Sequence, residues 1–326
     1  MKTFITGATG FIGSHLLKRL SQTNHELHCL VRRIGPASER LKSLGATIIM
    51  GDVTDRASVL RGMRGCDWVF HLAGLYSFWE PSNRIFKAIN VDGTRNVMEC
   101  ALETNVAKVV HVSTAGIYGK PADCPFTEES KVGPARFCEY FRTKYEGDLI
   151  VWDLHKNKSL PVVVVYPTAV LGPDDPKATG KYIVDLIQRR LPATVMNDDI
   201  MTFVHVKDVA EVIVRAAEKQ NNIGEKYLAG KHQMSFGEIN QMVSEISGVP
   251  LPKLRLPKSF TMFNAVLLTG LANVIKKQPP WGMSIGQIKV MREGFRVDGS
   301  KAERELGISY TPIRVALEEA IASYQG

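Results

Sequence analysis

The stretch CEYFRTKYEGD, residues 138–148, holds two tyrosines close to a lysine. Tyr140 and Lys144 stand four residues apart, so on a helix their side chains share one face. A phenol has a pKa of about 10, and a neighbouring ammonium group favours the phenolate and lowers that pKa. Tyr145 has Leu149 at the same offset and no base there. The spacing predicts Tyr140 as the acid/base of this stretch; the alternative is a tyrosine on the inner face of a helix, covered by the lysine.

A glycine-rich stretch, FITGATGFIGSHLLKRL, places Gly7, Gly10 and Gly13 between a strand-like run and an amphipathic helical pattern. Glycines at such a junction allow a tight turn and let backbone N–H groups approach a pyrophosphate at the helix N-terminus. The spacing is G-x-x-G-x-x-G rather than the G-x-G-x-x-G of the standard dinucleotide fingerprint. Placed after the first strand-like run, it predicts a dinucleotide site rather than a purely structural turn.

The next strand-like run ends in HCLVRRIG, where Arg32 and Arg33 follow Val31. NAD sites place an acidic residue near this point for the ribose hydroxyls, whereas an arginine accommodates the 2′-phosphate of NADP. The sequence therefore favours NADP, with NAD as the alternative cofactor and a solvated basic loop as the alternative interpretation. In the later stretch MGDVTD, Asp52 and Val53 are candidates for the edge of the adenine pocket, unless Asp52 serves only a turn or a helix N-cap.

Short apolar runs and helical patterns alternate along the first half of the chain. The strand-like runs are KTFIT, LHCLV, ATIIM, DWVFHLA, KVVHVS and VVVVYP, and helical periodicity occupies 11–21, 36–44 and 92–104. This alternation predicts an α/β fold with a Rossmann-like, doubly wound parallel sheet buried on both sides. Pro- and Gly-containing joints become frequent beyond residue 170. We expect a dinucleotide-binding domain at 1–170, to which 200–230 return, and a mainly substrate-binding lobe at 171–326.

Length and charge narrow the class of protein. The chain has 326 residues, enough for one large or two coupled lobes, and a formal net charge of +8. The bases are dispersed among acids without a nucleic-acid-binding signature, so a small anionic ligand fits better than nucleic acid. The start MKTFITGATG lacks the regions of a secretion signal, which predicts a cytoplasmic protein. Five scattered cysteines without a C-x-x-C pair predict buried, reduced thiols.

Other candidate sites are weaker. The stretch HELHC contains His25, His28 and Cys29, but no second ligand cluster matches a zinc pattern, so we predict no metal site. His71 and His205 follow strand-like runs and are predicted to be packing histidines. The apolar stretch 259–275 is short for a membrane span, and it predicts a buried or lid helix, with a weak membrane-surface contact as the alternative.

The glycine loop, GDVTD, HLAG, HVSTAGIYG and the Tyr140-x-x-x-Lys144 pair occur in this order. In this arrangement the chain resembles the extended short-chain dehydrogenases/reductases, the NAD-dependent epimerase/dehydratase superfamily. The resemblance covers nearly the whole chain, through TFVHVKDVAE and VDGSKAERELG. With VVVVYPTAVLGP and KYIVDLIQRRLPATV, the chain is most similar to the dihydroflavonol-4-reductase-like branch and to the proteins labelled hopanoid-associated sugar epimerases.

The resemblance implies hydride transfer with a Ser/Thr–Tyr–Lys set. It implies that Tyr140 is the acid/base, that Lys144 lowers the pKa of Tyr140 and holds the nicotinamide ribose, and that Thr114 binds the substrate oxygen. Ser113 is the fallback hydroxyl, and Asn90 is expected to support the lysine. Family habit suggests a homodimer through the helices around 92–104 and 134–155. The candidate cofactor-binding residues are Gly7, Thr9, Gly10, Phe11, Ile12, Gly13, Arg32, Arg33, Asp52, Val53, Leu72, Ala73, Gly74, Tyr140, Lys144, Tyr166, Pro167 and Thr168.

Two departures from the family's sugar enzymes guide the choice of reaction. Ala115 and Gly116 stand where sugar 4,6-dehydratases carry an Asp-Glu pair, and MREGFRVDGSKA lacks the R-P-G-D-like loop of nucleotide-sugar enzymes. We therefore expect an NADP-dependent reductase of a ketone or aldehyde, reversible as an alcohol dehydrogenase. A sugar epimerase that retains its cofactor and a non-catalytic nucleotide-binding redox sensor are the alternatives. Aromatic residues of one loop are predicted either to clamp a flat or apolar substrate or to pack between lobes: Tyr76, Phe78, Trp79 and Phe86.

Overall fold

A parallel sheet of seven strands forms the centre of the protein, whose computed structural model describes residues 1–325. The strands of the chain are β1 (Lys2–Thr6), β2 (Glu26–Val31), β3 (Thr47–Met50), β4 (Trp68–His71), β5 (Lys108–Val112), β6 (Val162–Pro167), β7 (Ala169–Leu171), β8 (Ile200–His205), β9 (Lys226–Ala229) and β10 (His232–Ser235). The large sheet has the order β3-β2-β1-β4-β5-β6-β9, and β10, β8 and β7 form a second sheet. This order confirms the predicted Rossmann-like α/β fold.

Helices cover both faces of the large sheet. They are α1 (Phe11–Leu20), α2 (Pro36–Ser43), α3 (Arg56–Met63), α4 (Arg84–Lys87), α5 (Thr94–Glu103), α6 (Glu139–Lys158), α7 (Ala178–Ile187), α8 (Val206–Glu218), α9 (Phe236–Ser247), α10 (Lys258–Ile275), α11 (Ile285–Glu293), α12 (Ser300–Leu306) and α13 (Ile313–Gln325). The valine run of β6 shows why both faces need cover: Val162 and Val164 pack into the core that contains α5 and α6, whereas Val163 and Val165 pack into the core that contains α1 and α8.

A π-helical segment at Ala88–Gly93 lies between α4 and α5, inside a stretch where the sequence predicts regular helix from residue 92. Helix α6 packs against this segment so closely that a Cβ on Gly147 would lie 2.4 Å from the backbone oxygen of Asn90. The wider turn of a π-helix often marks a functional position, because it places one extra residue on a packed face. Asn90 is one of the buried residues of this segment.

Strand β9 pairs with β6 at the edge of the large sheet, and α8 packs against α1, so part of the predicted returning segment 200–230 lies in that layer. The division of the chain near residue 170 stays a prediction, and the last residue of the predicted lobe lies outside the described range. The sequence predicts a buried or lid helix at 259–275; α10 is largely exposed, so the buried form is wrong, and the lid form stays a prediction. The prediction of buried thiols fails at Cys124, which is exposed, while Cys29, Cys66 and Cys100 are buried.

Candidate active site

The carboxyl ends of the strands in the large sheet bring the candidate residues together at one edge. Thr6 of β1 pairs with Leu30 of β2 and with His71 of β4, and His71 pairs with His111 of β5. The glycine loop, Arg32, the Leu72–Gly74 segment and the Ser113–Thr114 segment follow directly on these strands. The strand order reverses between β1 and β4, and ligands of open α/β sheets bind in the crevice at such a point.

The glycine loop has the shape that a pyrophosphate needs. Gly7 has a φ of +78°, and a Cβ there would lie 2.6 Å from the backbone nitrogen of Ala73. A Cβ on Gly13 would lie 2.1 Å from the backbone oxygen of Gly7, so the start of α1 can lie against the loop only with glycine at this position. Gly10 is exposed and caps α1, and none of the described side chains caps that helix end. These residues fit a dinucleotide.

The residues expected around the adenosine have different surroundings. Arg32 and Arg33 are exposed directly after β2, and neither forms an ion pair with any residue of 1–325. Asp52 Oδ1 accepts hydrogen bonds from the backbone nitrogen and the hydroxyl of Thr54, both at 2.9 Å, so the turn interpretation describes this side chain. Val53 is buried and lies against Gly93, where a Cβ would approach it to 2.8 Å.

The three candidate residues at the end of β6, Tyr166, Pro167 and Thr168, have their polar groups engaged within the protein. The Tyr166 hydroxyl donates to Asp148 Oδ2 at 3.0 Å, deep in the core. The Thr168 hydroxyl donates to the backbone oxygen of Ala229 at 3.2 Å. Both hydroxyl groups are therefore engaged within the protein, and Pro167 pairs with Ala229 along the sheet.

Helix α6 carries Tyr140 and Lys144, as the spacing predicts. The Tyr140 ring is 5.2 Å from the ring of Tyr76 and 5.3 Å from that of Phe141, measured between centroids. Burial raises the pKa of Tyr140, which is opposite to the lowered pKa that the sequence predicts. Lys144 is buried, its Nζ donates to the backbone oxygen of Val112 at 2.9 Å, and burial lowers its pKa to about 8. Desolvation by burial is the largest cause of both pKa shifts, and neither side chain is among the groups that shift the pKa of the other.

The two candidate hydroxyls after β5 have different neighbours. The Thr114 hydroxyl lies at Tyr140 and acts against the burial effect on the pKa of that tyrosine. The Ser113 hydroxyl instead lies at the buried carboxyl group of Asp148. Thr114 also accepts a hydrogen bond from the backbone nitrogen of Gly116 at 3.3 Å, which orients the start of the following 3₁₀ turn. The structure thus brings Thr114, not Ser113, to the tyrosine.

The side chain of Asn90 forms hydrogen bonds to the loop after β4 and to helix α6. Its Oδ1 accepts from the backbone nitrogen of Leu75 at 2.7 Å, and its Nδ2 donates to Thr143 Oγ1 at 3.0 Å. A Cβ on Gly74 would lie 3.4 Å from Asn90 Oδ1 and 3.9 Å from Lys144 Nζ. The amide therefore holds the loop after β4 against α6, next to the lysine.

Asp148 is a buried group that the sequence reasoning did not single out. It receives hydrogen bonds at 3.0 Å from Trp152 Nε1 and from the Tyr166 hydroxyl, yet burial raises its pKa to about 6. Its charge acts on Lys144, one turn away, and favours the ammonium form. The four-residue spacing between Lys144 and Asp148 was the available signal, but the sequence does not show that both side chains are buried.

A cleft of about 220 Å³ lies beside the aromatic loop. Tyr76, Phe78 and Trp79 line it, and Trp79 also donates through Nε1 to Asn273 Oδ1 of α10 at 2.8 Å. Phe86 is buried and does not line the cleft, and the choice between a substrate clamp and lobe packing stays a prediction. The remaining lining residues come from the aromatic loop itself, from α7 and the segments on either side of it, from the segment between α10 and α11, and from α11: Ser77, Glu80, Pro176, Lys177, Lys181, Tyr182, Asp185, Leu191, Gln278, Pro279, Trp281, Gly282, Ser284 and Gln287.

His71 and His205 form hydrogen bonds within the protein. His71 is buried, contacts Thr6 Oγ1 through Nδ1 at 2.7 Å, and has its pKa lowered to about 3 by burial. His205 accepts from the backbone nitrogen of Lys207 at the start of α8. Within residues 1–325, no group of three or more His, Cys, Asp or Glu side chains is arranged to hold a metal ion.

Residues 3–230 match the sequence model of the NAD dependent epimerase/dehydratase family. The chain belongs to this family. A protein of Synechocystis sp. named for dihydroflavonol 4-reductase is 28% identical over 333 residues, covering 99% of this chain and 94% of its relative. The 4-hydroxy-2-methyl-3-oxo-4-farnesyl-3,4-dihydroquinoline-1-oxide ketoreductase of Stigmatella aurantiaca is 32% identical over 309 residues, covering 94% and 91%. The UDP-glucuronic acid 4-epimerase of Bacillus cereus, solved with NAD, is 25% identical, with a TM-score of 0.78 and coverage of 100% and 97%.

The family membership confirms the resemblance drawn from the motifs, including its dihydroflavonol-reductase-like side. Reductases and a nucleotide-sugar epimerase are both similar to the chain over nearly its whole length. The protein is thus an enzyme of the NAD(P)-dependent, extended short-chain dehydrogenase/reductase type, and the choice between reduction and epimerisation depends on its own site.

Proposed function

We propose that this enzyme is an NADP-dependent reductase of a ketone or aldehyde, reversible as an alcohol dehydrogenase, which uses Thr114, Tyr140 and Lys144. The supporting observation is that the Tyr140 ring contacts Tyr76, which lines the aromatic cleft, while the Thr114 hydroxyl lies at the same tyrosine from the end of β5. The proposal places the reacting carbonyl group at Tyr140, next to Tyr76, while the dinucleotide lies along the strand ends.

The chain supplies the proton and the polar contacts of the reaction. When bound, the reduced nicotinamide supplies the hydride that reaches the carbonyl carbon. Tyr140 and Thr114 bind the carbonyl oxygen, and Tyr140 gives it the phenolic proton. The raised pKa of Tyr140 keeps the phenol protonated before reaction, which suits a proton donor. The ammonium group of Lys144 then stabilises the phenolate, and Asp148 favours that charged form of the lysine.

The choice of NADP depends on Arg32 and Arg33. Both guanidinium groups are exposed where β2 ends, next to the glycine loop across the register of β1 and β2. A 2′-phosphate needs a cation there, and arginine binds phosphate oxygens with a planar pair of N–H groups. Val31 leaves no carboxylate at the position that would repel the phosphate.

The walls of the cleft favour a flat or apolar carbonyl substrate over a nucleotide sugar. Tyr76, Phe78, Trp79 and Trp281 present aromatic surface, while the polar groups lie mainly on α7 and after α10. The ketoreductase relative is named for a farnesylated bicyclic ketone, which is a substrate of this kind. A sugar epimerase that retains its cofactor is the second candidate, because the epimerase neighbour matches the whole chain.

The deciding experiment is a panel of carbonyl compounds and UDP-sugars, assayed with NADPH and with NADH by the loss of nicotinamide absorbance. A reductase oxidises cofactor in proportion to the alcohol formed. Interconversion of sugars without net oxidation of added NADPH would show that the enzyme is an epimerase and not a reductase. Binding of nucleotide without turnover of any compound would favour the redox sensor. The homodimer through 92–104 and 134–155, the domain division and the cytoplasmic location stay predictions.

A further inference from the structure

Helix α10 presents an apolar surface that the protein itself leaves uncovered. Thr261, Ala265 and Ala272 are buried against the body of the protein. The opposite side carries a stripe with helical spacing of three and four residues, in which exposure ranges from 50% to 79%: Phe260, Phe263, Leu267, Leu271 and Val274. Val266 and Ile275 flank it, at 50% and 51% exposure. Large contiguous apolar surfaces of this kind mark interaction sites.

The stretch of sequence that contains the stripe is basic. Residues 246–292 contain no Asp or Glu, and they contain seven bases: Lys253, Arg255, Lys258, Lys276, Lys277, Lys289 and Arg292. Lys258 is paired with Asp199 at 2.6 Å. Lys276 and Lys277 end the helix, are exposed, and form no ion pair with the described residues. Arg292 is likewise paired with Glu293, so Lys276 and Lys277 are the cations that the stripe offers to a partner. An apolar stripe that ends in these two cations complements a surface that is apolar inside and negatively charged outside.

We propose that α10 docks the enzyme onto the surface of an anionic lipid bilayer, lying in the plane of the headgroups with the stripe inserted. Among the described residues, α10 is the one helix long and apolar enough to be considered for crossing a membrane. Its packed side and its contacts with the protein hold it on the surface instead: Thr269 Oγ1 accepts from the backbone nitrogen of Ile285 at 2.8 Å, and Asn273 accepts from Trp79. An amphipathic helix of this kind binds through buried apolar area and through attraction to anionic lipids.

Helix α10 is joined directly to residues that line the cleft. The segment that follows Lys277 supplies Gln278, Pro279 and Trp281 to the cleft, and Trp281 is 49% exposed. Trp79, which also lines the cleft, is hydrogen-bonded to Asn273 of α10. A docked enzyme would therefore hold its cleft against the lipid, where an apolar carbonyl compound concentrates. This delivery of substrate rests on the proposed reductase function, whereas the docking itself does not.

The test is co-sedimentation of the full chain with sucrose-loaded vesicles of phosphatidylcholine alone and of phosphatidylcholine and phosphatidylglycerol at roughly 7:3. We expect binding to the anionic vesicles, weaker binding to the neutral ones, and a decrease with added salt. The variant Phe263→Glu/Leu267→Glu should lower the partition coefficient by about tenfold or more, because it places two charges in the stripe. The matched control Ile223→Glu/Val315→Glu changes two exposed apolar residues elsewhere and should bind as the parent does.

A second variant tests the charges without touching the apolar stripe. Lys276→Glu/Lys277→Glu should reduce the preference for anionic over neutral vesicles while the melting temperature stays that of the parent. The proposal is overturned if the parent does not sediment with anionic vesicles, or if the stripe variant and its control bind equally. A parent dimer that the stripe variant converts into a monomer, without vesicle binding by the parent, would make α10 a protein interface instead. Turnover of a water-soluble carbonyl compound, measured in all variants, reports separately on the proposed function.

Discussion

Lys144 Nζ donates a hydrogen bond to the backbone oxygen of Val112 over 2.9 Å, at the buried contact between α6 and β5. One turn further along the helix, Asp148 is buried as well. Burial moves the two pKa values towards each other, to about 8 for the lysine and about 6 for the aspartate. The charge state of the proposed catalytic lysine is therefore coupled to that of an aspartate within the pH range in which enzymes work.

The first prediction concerns Asp148→Asn and the pH dependence of stability. The pKa of Asp148 rises from 3.8 to about 6 on folding, so the folded state binds more protons than the unfolded state between these values. The contribution of Asp148 to the free energy of unfolding is present at low pH and is lost as the pH rises through about 6. Asparagine does not ionise, so Asp148→Asn does not lose stability as the pH rises through about 6. The variant should therefore be more stable than the parent at pH 7, by up to about 3 kcal/mol.

Urea unfolding of both proteins across the range from acid to neutral pH measures this difference. Asp153→Asn is the control, because Asp153 is exposed on the same helix and should leave the pH profile unchanged. A parallel profile for the parent and Asp148→Asn would show that Asp148 does not titrate in this range. In turnover, the variant should lose activity at lower pH than the parent, since Lys144 loses the charge that helps to keep it protonated.

The second prediction separates the two tyrosines of α6. Tyr140→Phe should lower turnover by about 100- to 10,000-fold and leave nucleotide affinity nearly intact, because it removes a proton donor and little packing. Tyr145→Phe is the matched control: the Arg136 guanidinium lies 3.8 Å from the centre of the Tyr145 ring, and phenylalanine keeps that contact. Equal losses in the two variants would contradict the assignment of Tyr140.

The third prediction concerns the cofactor. Arg32→Ala should weaken NADP by about ten- to hundredfold, since charge-assisted hydrogen bonds contribute about 1.5 to 3 kcal/mol, while NAD affinity should barely change. Titration of both nucleotides against the parent, Arg32→Ala and Arg33→Ala measures the share of each arginine. Arg64→Ala, an exposed arginine after α3, controls for the general loss of positive charge. A parent that prefers NAD, or a variant that loses both nucleotides equally, would leave Arg32 as a solvated loop residue.

The fourth prediction uses two glycines with opposite surroundings. A Cβ on Gly116 would lie 2.2 Å from the ring of Phe141, the neighbour of Tyr140, so Gly116→Ala forces that ring to move. We expect a loss of about 1 to 3 kcal/mol in the free energy of unfolding, together with reduced turnover. Gly270→Ala adds a Cβ to α10 with no heavy atom within 4 Å, and it should stabilise the protein by about 0.4 to 1 kcal/mol. Thermal melting of both variants shows whether Gly116→Ala lowers and Gly270→Ala raises the stability of the protein.

The features that the sequence determined depend on local pattern. The run VVVVYP predicts a strand buried on both faces, and its valines do alternate between the two cores. The glycine spacing predicts the turn before α1, because only glycine tolerates both a positive φ and the close contacts at Gly7 and Gly13. The four-residue spacing places Tyr140 and Lys144 on one face of α6 because the helical period alone decides it.

The tertiary structure decided what depends on residues far apart in the chain. Asn90 lies 53 residues before Thr143, and no local pattern predicts the hydrogen bond that joins them or the π-helical turn that presents the amide. The direction of the pKa shift of Tyr140 follows from desolvation by surrounding rings, and sequence spacing shows only the neighbouring charge. The exposure of α10 has the same origin: an apolar stretch predicts burial, but whether a partner surface exists within the chain is decided only when the other elements are packed.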